Sequence, residues 1–251
     1  KSLNQKSIKI FNLMSPRLIG KVEIKSQNVV KPIYFEGLKK VGNPEQTLNS
    51  WSMSGIDEII YIDIVASLYD RYFNFKQLND SAKNIFIPIT AGGGVQSIKE
   101  AENFFANGAD KVCINSFALK NKDIIFELAK NYGSQAIVLN IEAKKKSNTS
   151  WECFYENGRS NSSLNVKDWI LEAKDLGVGE IFIQSIDRDG SKNGYDLDLY
   201  KEICNLTNLP IVLGSGYGKI SHMEEIFKIK MPSGFCISTI FHENHENIKN
   251  I

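Results

Sequence analysis

The sequence predicts an α/β protein, a (β/α)8 TIM barrel built from two repeated half-barrels, and three observations predict it. Short apolar runs alternate with longer amphipathic stretches about eight times along the chain. The length, 251 residues, is that of one such barrel. The third observation is an internal repeat. Shifting the chain by 122 residues lays Gly55 on Gly177, Glu58-Ile59 on Glu180-Ile181 and Pro88-Ile89 on Pro210-Ile211. In the same register Gly92 and Gly94 fall on Gly214 and Gly216, and Ser116 falls on Ser238. A repeat of half the chain length implies two four-stranded halves.

The strands are read in order. Val22–Ile24 with Val29–Lys31 supplies a candidate near the start. Then come Glu58–Ile64, Ile85–Thr90, Lys111–Asn115, Ala136–Ile141, Glu180–Ser185, Pro210–Leu213 and Gly234–Ser238. Several are apolar on both faces, as in a parallel sheet covered by helices. Between them, Ser97–Asn107, Lys122–Tyr132, Val166–Leu176, Leu197–Leu206 and His222–Ile229 place apolar residues at three- and four-residue intervals. Residues 1–251 are read as a single barrel domain, with residues 1–15 as an N-terminal extension. The polar segment Lys144–Asn165 breaks the rhythm and reads as a hairpin excursion after the fifth barrel strand.

Composition narrows the function. Thirty Lys+Arg against twenty-nine Asp+Glu leave a net charge of +1, so no global field draws nucleic acid or anionic lipid. An anionic ligand must be held locally. No apolar run approaches the ~20 residues of a membrane span, and Lys1–Met14 lacks a continuous signal-peptide core. Cys113, Cys153, Cys204 and Cys236 form no CxxC pair and read as reduced, buried thiols of a cytoplasmic protein. His222, His242 and His245 show no metal-ligand spacing, so no metal site and no cofactor are expected.

The repeated glycines point to chemistry. Ala91-Gly-Gly-Gly94 and Gly214-Ser-Gly216 each follow a strand and precede a helical pattern. Glycine lets backbone approach a ligand closely, and successive N–H groups there favour anions. Asn115-Ser116 and Ser238-Thr239 end the next strands and add amide and hydroxyl donors, while Asp187-Arg-Asp-Gly190 follows the sixth barrel strand. Glycines of this kind also close ordinary tight turns, but a pair repeated in register reads as two phosphate cradles. Two cradles across one barrel mouth imply a substrate with two phosphates.

These residues resemble HisF, the cyclase subunit of imidazole glycerol phosphate synthase. The matching text includes YIDIVAS, PITAGGGVQS, NGADKVCINS, GVGEIFIQSIDRDGSKNGYDLDL, PIVLGSG and STIFH, and it covers most of the chain from Pro16 to His242. The resemblance implies a barrel that takes ammonia from a HisH-like glutaminase partner. That ammonia converts a bisphosphorylated aminoimidazole ribotide to imidazole glycerol phosphate and an aminoimidazole carboxamide ribotide. It places phosphate contacts at Gly94, Asn115 and Ser116, and at Asp189, Gly190, Gly216, Ser238 and Thr239. It places an ammonia gate at Arg17, Glu58, Lys111 and Glu180, two cations and two anions at strand starts, and a glutaminase contact at Asp110. A plain isomerase of the related HisA family is disfavoured by that gate and by the SIDRDG text.

The chain departs from the family at the catalytic pair. Glu23 stands where the family has an aspartate in Leu-Asp-Val-Lys, and Glu142 where it has one in Ile-Asp-Ala-Lys. Both keep the carboxyl group and gain a methylene. One reading is a retained acid/base pair; the other is two acids that drifted under relaxed constraint. Two functions follow, the ammonia-using cyclase with Glu23 and Glu142 catalytic, and a non-cyclising conduit that feeds ammonia to a sugar amidotransferase in surface-glycan synthesis. Ser26-Gln-Asn28 also replaces the family's usual Asp-Gly-Arg, although Lys25 and Lys31 persist. His242, Tyr195 and Asp196 read as local structure.

Overall fold

The alternation of runs becomes one alternation of strands and helices. In the computed structural model, which describes residues 15–243, 248 and 251, the chain opens with β1 (Arg17–Lys25), β2 (Asn28–Ile33), β3 (Glu36–Gly42), α1 (Pro44–Met53), β4 (Glu58–Asp63) and α2 (Phe75–Ala82). It continues with β5 (Ile89–Gly92), α3 (Ile98–Ala106), β6 (Lys111–Ile114), α4 (Ser116–Lys120), α5 (Asp123–Tyr132) and β7 (Ile137–Ser147). Then follow β8 (Ser150–Tyr155), β9 (Ser160–Asn165), α6 (Val166–Leu176), β10 (Glu180–Ser185), α7 (Leu197–Ile203), β11 (Ile211–Gly214), α8 (Ser221–Phe227), β12 (Gly234–Ile237) and α9 (Thr239–Glu243). The extension read at residues 1–15 lies, apart from Ser15, outside the described residues.

Eight strands pair in parallel in the order β1-β4-β5-β6-β7-β10-β11-β12, and β12 returns to β1. This is a closed (β/α)8 barrel with no free edge in its wall. The two halves repeat in bonding as in sequence. Ile59 N–H donates to Pro88 carbonyl and Ile181 N–H to Pro210 carbonyl, each at 2.9 Å. Gly55 and Gly177 occupy positive φ at 98° and 105°, a conformation that glycine adopts without penalty.

Three readings are corrected. The candidate near the start is two elements: β1 enters the barrel, and β2 turns back antiparallel on it, Glu23 opposite Val30. The strand read at Ile85–Thr90 begins only at Ile89. Pro88 has no N–H for the ladder, and Phe86 is 95% exposed. Ile89 N–H is taken instead by the Asp110 carboxylate at 2.8 Å, which marks the strand start. The segment Lys144–Asn165 forms more than one hairpin: β7 runs on beyond the wall, β8 pairs with it and β9 pairs with β8. Helices α1 and α2 carried little periodic signal because α1 buries only Pro44, Leu48 and Trp51, and α2 only Leu78 and Ser81. Their starts are set by caps, with Asn43 and Asn74 side chains accepting from Gln46 and Gln77 N–H.

Two apolar cores result. One lies between wall and helices and includes Leu48, Leu78, Phe104, Leu128, Trp169 and Ile203. The other fills the barrel and consists of Ile19, Ile60, Ile62, Cys113, Val138, Phe182, Val212 and Cys236. All four cysteines are buried and free. No helix among the described residues is long and apolar enough to cross a membrane. Phe182 dominates the inner core, fully buried, and a side chain at Gly214 would meet its ring at 2.8 Å. Phe182→Ala is therefore expected to cost about 3–5 kcal/mol in urea denaturation without a change in slope.

Candidate functional site

Period-two alternation decides what faces the interior. From the lower end of the barrel upward, the inward positions stack as charges, then apolar residues, then amides and charges again. The lowest layer is the ring read from sequence. Arg17 Nη1 lies 2.5 Å from Glu58 and its Nη2 meets Glu180. Lys111 Nζ lies 3.0 Å from Glu58 and 2.8 Å from Glu180. Each cation thus touches both anions. Thr90 Oγ1 adds a hydrogen bond to Glu58 at 2.7 Å. Burial alone would raise the Glu180 carboxyl, yet Arg17 and Lys111 hold it below the ordinary value. Asp110 lies exposed at this same end.

Above the apolar layer the chain places residues that sequence reasoning missed. Lys21, Asn140 and Gln184 sit two residues before or beyond recognised inward positions on β1, β7 and β10. Lys21 Nζ bonds Gln184 Oε1, and Gln184 Nε2 donates to Asn140 Oδ1 at 2.8 Å. The signal was present in the sequence: Lys21-x-Glu23 and Asn140-x-Glu142 put polar residues on the inner face of otherwise apolar strands.

Glu23 and Glu142 come together at the mouth and line one cavity of about 620 Å3. Their environments differ sharply. Glu23, 1% exposed, lies 2.8 Å from Lys21 Nζ and 2.9 Å from Lys31 Nζ. Burial opposes its ionisation, but the two ammoniums outweigh burial and hold it down to about 2. Glu142 is buried with no cation in contact; Gly158 N–H, from the turn between β8 and β9, donates to it at 2.7 Å. Burial pushes it up to about 7, against the opposing effects of that N–H and of Lys21. One acid is a fixed anion and the other titrates near neutrality.

The predicted phosphate residues divide into two cavities. Gly94, Asn115 and Ser116 line the first with both acids. Gly190, Gly216, Ser238, Thr239 and Asp189 line a second cavity of about 310 Å3. Lys21 and Gln184 are shared by both. Gly94 and Gly216 hold positive φ at 80° and 96°, matching across the repeat. Asn115 Oδ1, Ser215 Oγ and Ser238 Oγ are buried without a hydrogen-bond partner, the condition of groups awaiting a polar ligand. Ser116 Oγ accepts from Glu156 N–H at 3.1 Å. The Asp189 carboxylate is turned onto Lys31 at 3.2 Å and onto Phe35 N–H at 3.4 Å. A carboxylate repels phosphate, so what Asp189 offers this cavity is the placement of Lys31 and its own backbone.

Residues read as local structure behave so. Asp196 caps α7 through Leu199 N–H and takes Trp151 Nε1 and Ser185 Oγ. His242 packs against Trp51 with ring centres 4.7 Å apart and planes tilted by 47°, and burial lowers it to about 4. Among the described residues no group of histidine, cysteine and acidic side chains could hold a metal ion.

A barrel with a glycine-lined cavity at each side of its mouth and two unlike carboxyl groups there defines a class: (β/α)8 proteins with their site at this face. Comparison with known proteins narrows this further. The family model described as "Histidine biosynthesis protein" matches residues 17–247, and the chain belongs to that family. It is similar to a protein of Legionella pneumophila named imidazole glycerol phosphate synthase subunit HisF, 42% identical over 81% of this chain and 96% of that one. Proteins of the same name from Natranaerobius thermophilus and Lactococcus lactis subsp. lactis are 35% and 34% identical. Each comparison covers 95% of this chain, with 95% and 93% of the relative.

The raised carboxyl has a measurable consequence. A carboxyl group raised from 4.5 to about 7 stabilises the fold fully below pH 4.5 and loses that contribution as pH rises through 7. Glu142→Gln removes this loss. Its stability relative to the unsubstituted protein is expected to improve between pH 5 and pH 8 by on the order of 2–3 kcal/mol, measured by urea denaturation at each pH.

Proposed function

We propose that the chain is the ammonia-using cyclase subunit of a glutamine amidotransferase of the imidazole glycerol phosphate synthase type. The observation that carries this reading is the pairing of Glu23, a fixed anion, with Glu142, which titrates near neutrality, between two candidate anion cradles. Its substrate is the bisphosphorylated aminoimidazole ribotide of that reaction. One phosphate would be held by Gly94, Asn115 and Ser116, the other by Gly190, Gly216, Ser238 and Thr239. Acid/base work needs a group able to give a proton and to take it, within reach of the reacting atoms. Glu142, titrating near neutrality, suits the proton transfer itself, giving the proton and taking it back, and Glu23 stays the fixed anion beside the reacting atoms. The cradles and the acid pair are surplus to a bare channel, so the cyclase is preferred to an ammonia conduit for a sugar amidotransferase.

Ammonia would come from a HisH-like glutaminase docked at the end of the barrel that carries the charge ring and Asp110. Neutral ammonia passes an apolar core more readily than ammonium, and the layers Ile19–Ile60–Val138–Phe182 above the ring fit that passage. The ring is where such a path would be opened or shut. The reading places the protein in the cytoplasm, with its small-molecule precursors.

Two experiments test it. With ammonium salt supplied directly, the folded protein is expected to turn over the bisphosphate, and Glu142→Gln and Glu23→Gln are each expected to lower kcat at least ~100-fold with KM little changed. Absence of turnover in a folded protein that still binds the bisphosphate would sink the cyclase reading. For the ring, Lys111→Met is expected to change glutamine-dependent turnover in the glutaminase complex by about tenfold while ammonium-dependent turnover stays within about threefold. Equal loss of both argues against gating.

A further inference from the structure

We propose that Lys21 is a positioning residue of this site, a buried ammonium that fixes Glu23 as the anion and orients the amides of Gln184 and Asn140 beneath the substrate. The inference rests on the cyclase reading and adds to it a residue outside both the cradles and the acid pair.

Lysine inside a barrel is a demanding choice. Lys21 is 5% exposed and projects from β1 between the apolar layer and the two acids. Its Nζ lies 2.8 Å from Glu23 Oε1, donates to Gln184 Oε1 and sits 5.6 Å from the centre of the Phe35 ring. A buried, unpaired ammonium is strongly disfavoured, as is the charge left by a broken buried ion pair. The pairing with Glu23 offsets this. Glu23 in turn spans Lys21 and Lys31, one ammonium on each carboxylate oxygen.

The hydrogen bonds also carry a direction. An ammonium donates and never accepts, so Gln184 must present its oxygen to Lys21. Its Nε2 is thereby turned to Asn140 Oδ1 at 2.8 Å. Asn140 keeps its NH2 end as donor beside the first cavity, which it lines. One cation thus sets the sense of two amides across the barrel. Lys21 and Gln184 line both cavities, so the string underlies the whole distance between the two cradles. It is the first polar layer above Phe182 and its apolar neighbours.

Lys31 from β2, Asp189 after β10, Glu142 on β7, Cys113 on β6, Cys236 on β12 and His242 on α9 face this pair. Burial pushes both thiols up and His242 down, so they stay neutral between pH 5 and pH 8. Glu142 is the group among them that changes charge in that window. Lys21 is held above its ordinary value by Glu23 and Asp189 against burial, and it stays charged throughout.

The test reads Glu23 directly, in protein carrying 13C-labelled glutamate, with Glu23→Gln assigning the carboxyl signal. In the unsubstituted protein Glu23 is expected to stay ionised across the range in which the fold survives. In Lys21→Met its midpoint is expected to climb into about pH 5–7, because burial is then opposed by Lys31 alone. With ammonium salt and the bisphosphate, kcat of Lys21→Met is expected to fall ~100-fold with KM within about threefold, and an acid limb is expected to enter its pH profile. The double variant Lys21→Met/Glu23→Gln is expected to be no slower than Glu23→Gln alone. An unmoved Glu23 midpoint in folded Lys21→Met, or fully additive losses in the double variant, would overturn the inference. Should Lys21→Met fail to fold, the reciprocal measurement decides: in Glu23→Gln the Lys21 Nζ resonance is expected to titrate below pH 10, and an unmoved resonance counts against the pairing. If the unsubstituted protein shows no turnover, the cyclase reading fails, and the carboxyl and ammonium titrations still judge the role of Lys21.

Discussion

The ladder between β6 and β7 joins the two half-barrels, from Val112 opposite Ile137 to Ile114 opposite Leu139. With β12 on β1 at the other seam, it closes the wall. Closure turns every inward side chain toward a space with little water, where a lone charge is costly and a paired one acceptable. The rest of the molecule follows from that constraint. Among the described residues two mutually satisfied sets of charges lie inside, Arg17, Glu58, Lys111 and Glu180 at one end and Lys21, Glu23, Lys31 and Asp189 near the other, while Glu142, without a cation, is pushed up toward its neutral form. Each set contains two cations and two anions. The near-neutral composition of the whole chain is repeated on a small scale within the barrel.

The ladder between β7 and β10, within the second half, contributes to the asymmetry at the mouth. It sets Glu142 opposite Gln184, so the neighbour across the strand is an uncharged amide. Glu23 stands opposite Ile62 in the corresponding ladder, and the antiparallel turn into β2 brings Lys31 back over it. Two carboxyl groups of one type are therefore driven apart, one down to about 2 and the other up to about 7. Environment assigns the roles that side-chain identity leaves open. The β7–β9 ribbon takes part as well: Gly158 gives Glu142 its hydrogen bond, and Asn157 Nδ2 donates to Phe35 carbonyl at 3.1 Å. An excursion that broke the sequence rhythm thus becomes part of the cavity wall.

Much of this was legible in the sequence, for identifiable reasons. The last three barrel strands, such as Glu180–Ser185, are bounded by turn residues, so their limits were readable within a residue, whereas β7 runs on past Ile141 to Ser147. The repeat made the cradles visible, since Gly94 and Gly216 need the same backbone. Less was legible where partners come from distant segments. Lys21 and Gln184 are 163 positions apart, and nothing local shows that one completes the other. The β1–β2 turn was missed because its strands lack a strong turn pair; positive φ falls on Ser26 rather than on a glycine. Helix α1 buries Pro44, Leu48 and Trp51, and with the other seven positions mostly polar it has no continuous apolar face to mark it.

The two Asp-to-Glu departures can now be weighed as physics. An acid that has drifted free of use tends to turn toward water or to be replaced by an apolar residue, because holding it buried costs free energy. Glu23 and Glu142 are instead 1% and 6% exposed, deep in the mouth. Each longer side chain is fixed at its far end, Glu23 by two ammoniums and Glu142 by a backbone N–H. Fixing the end of a chain with one more rotatable bond restores the placement that the extra methylene would loosen. The grips differ in kind, one ionic and the other made of neutral donors, the Gly158 N–H and the Asn115 amide, and that difference helps separate the two titrations. A merely structural carboxyl would need neither the precision nor the separation, which supports reading the pair as adapted for proton transfer.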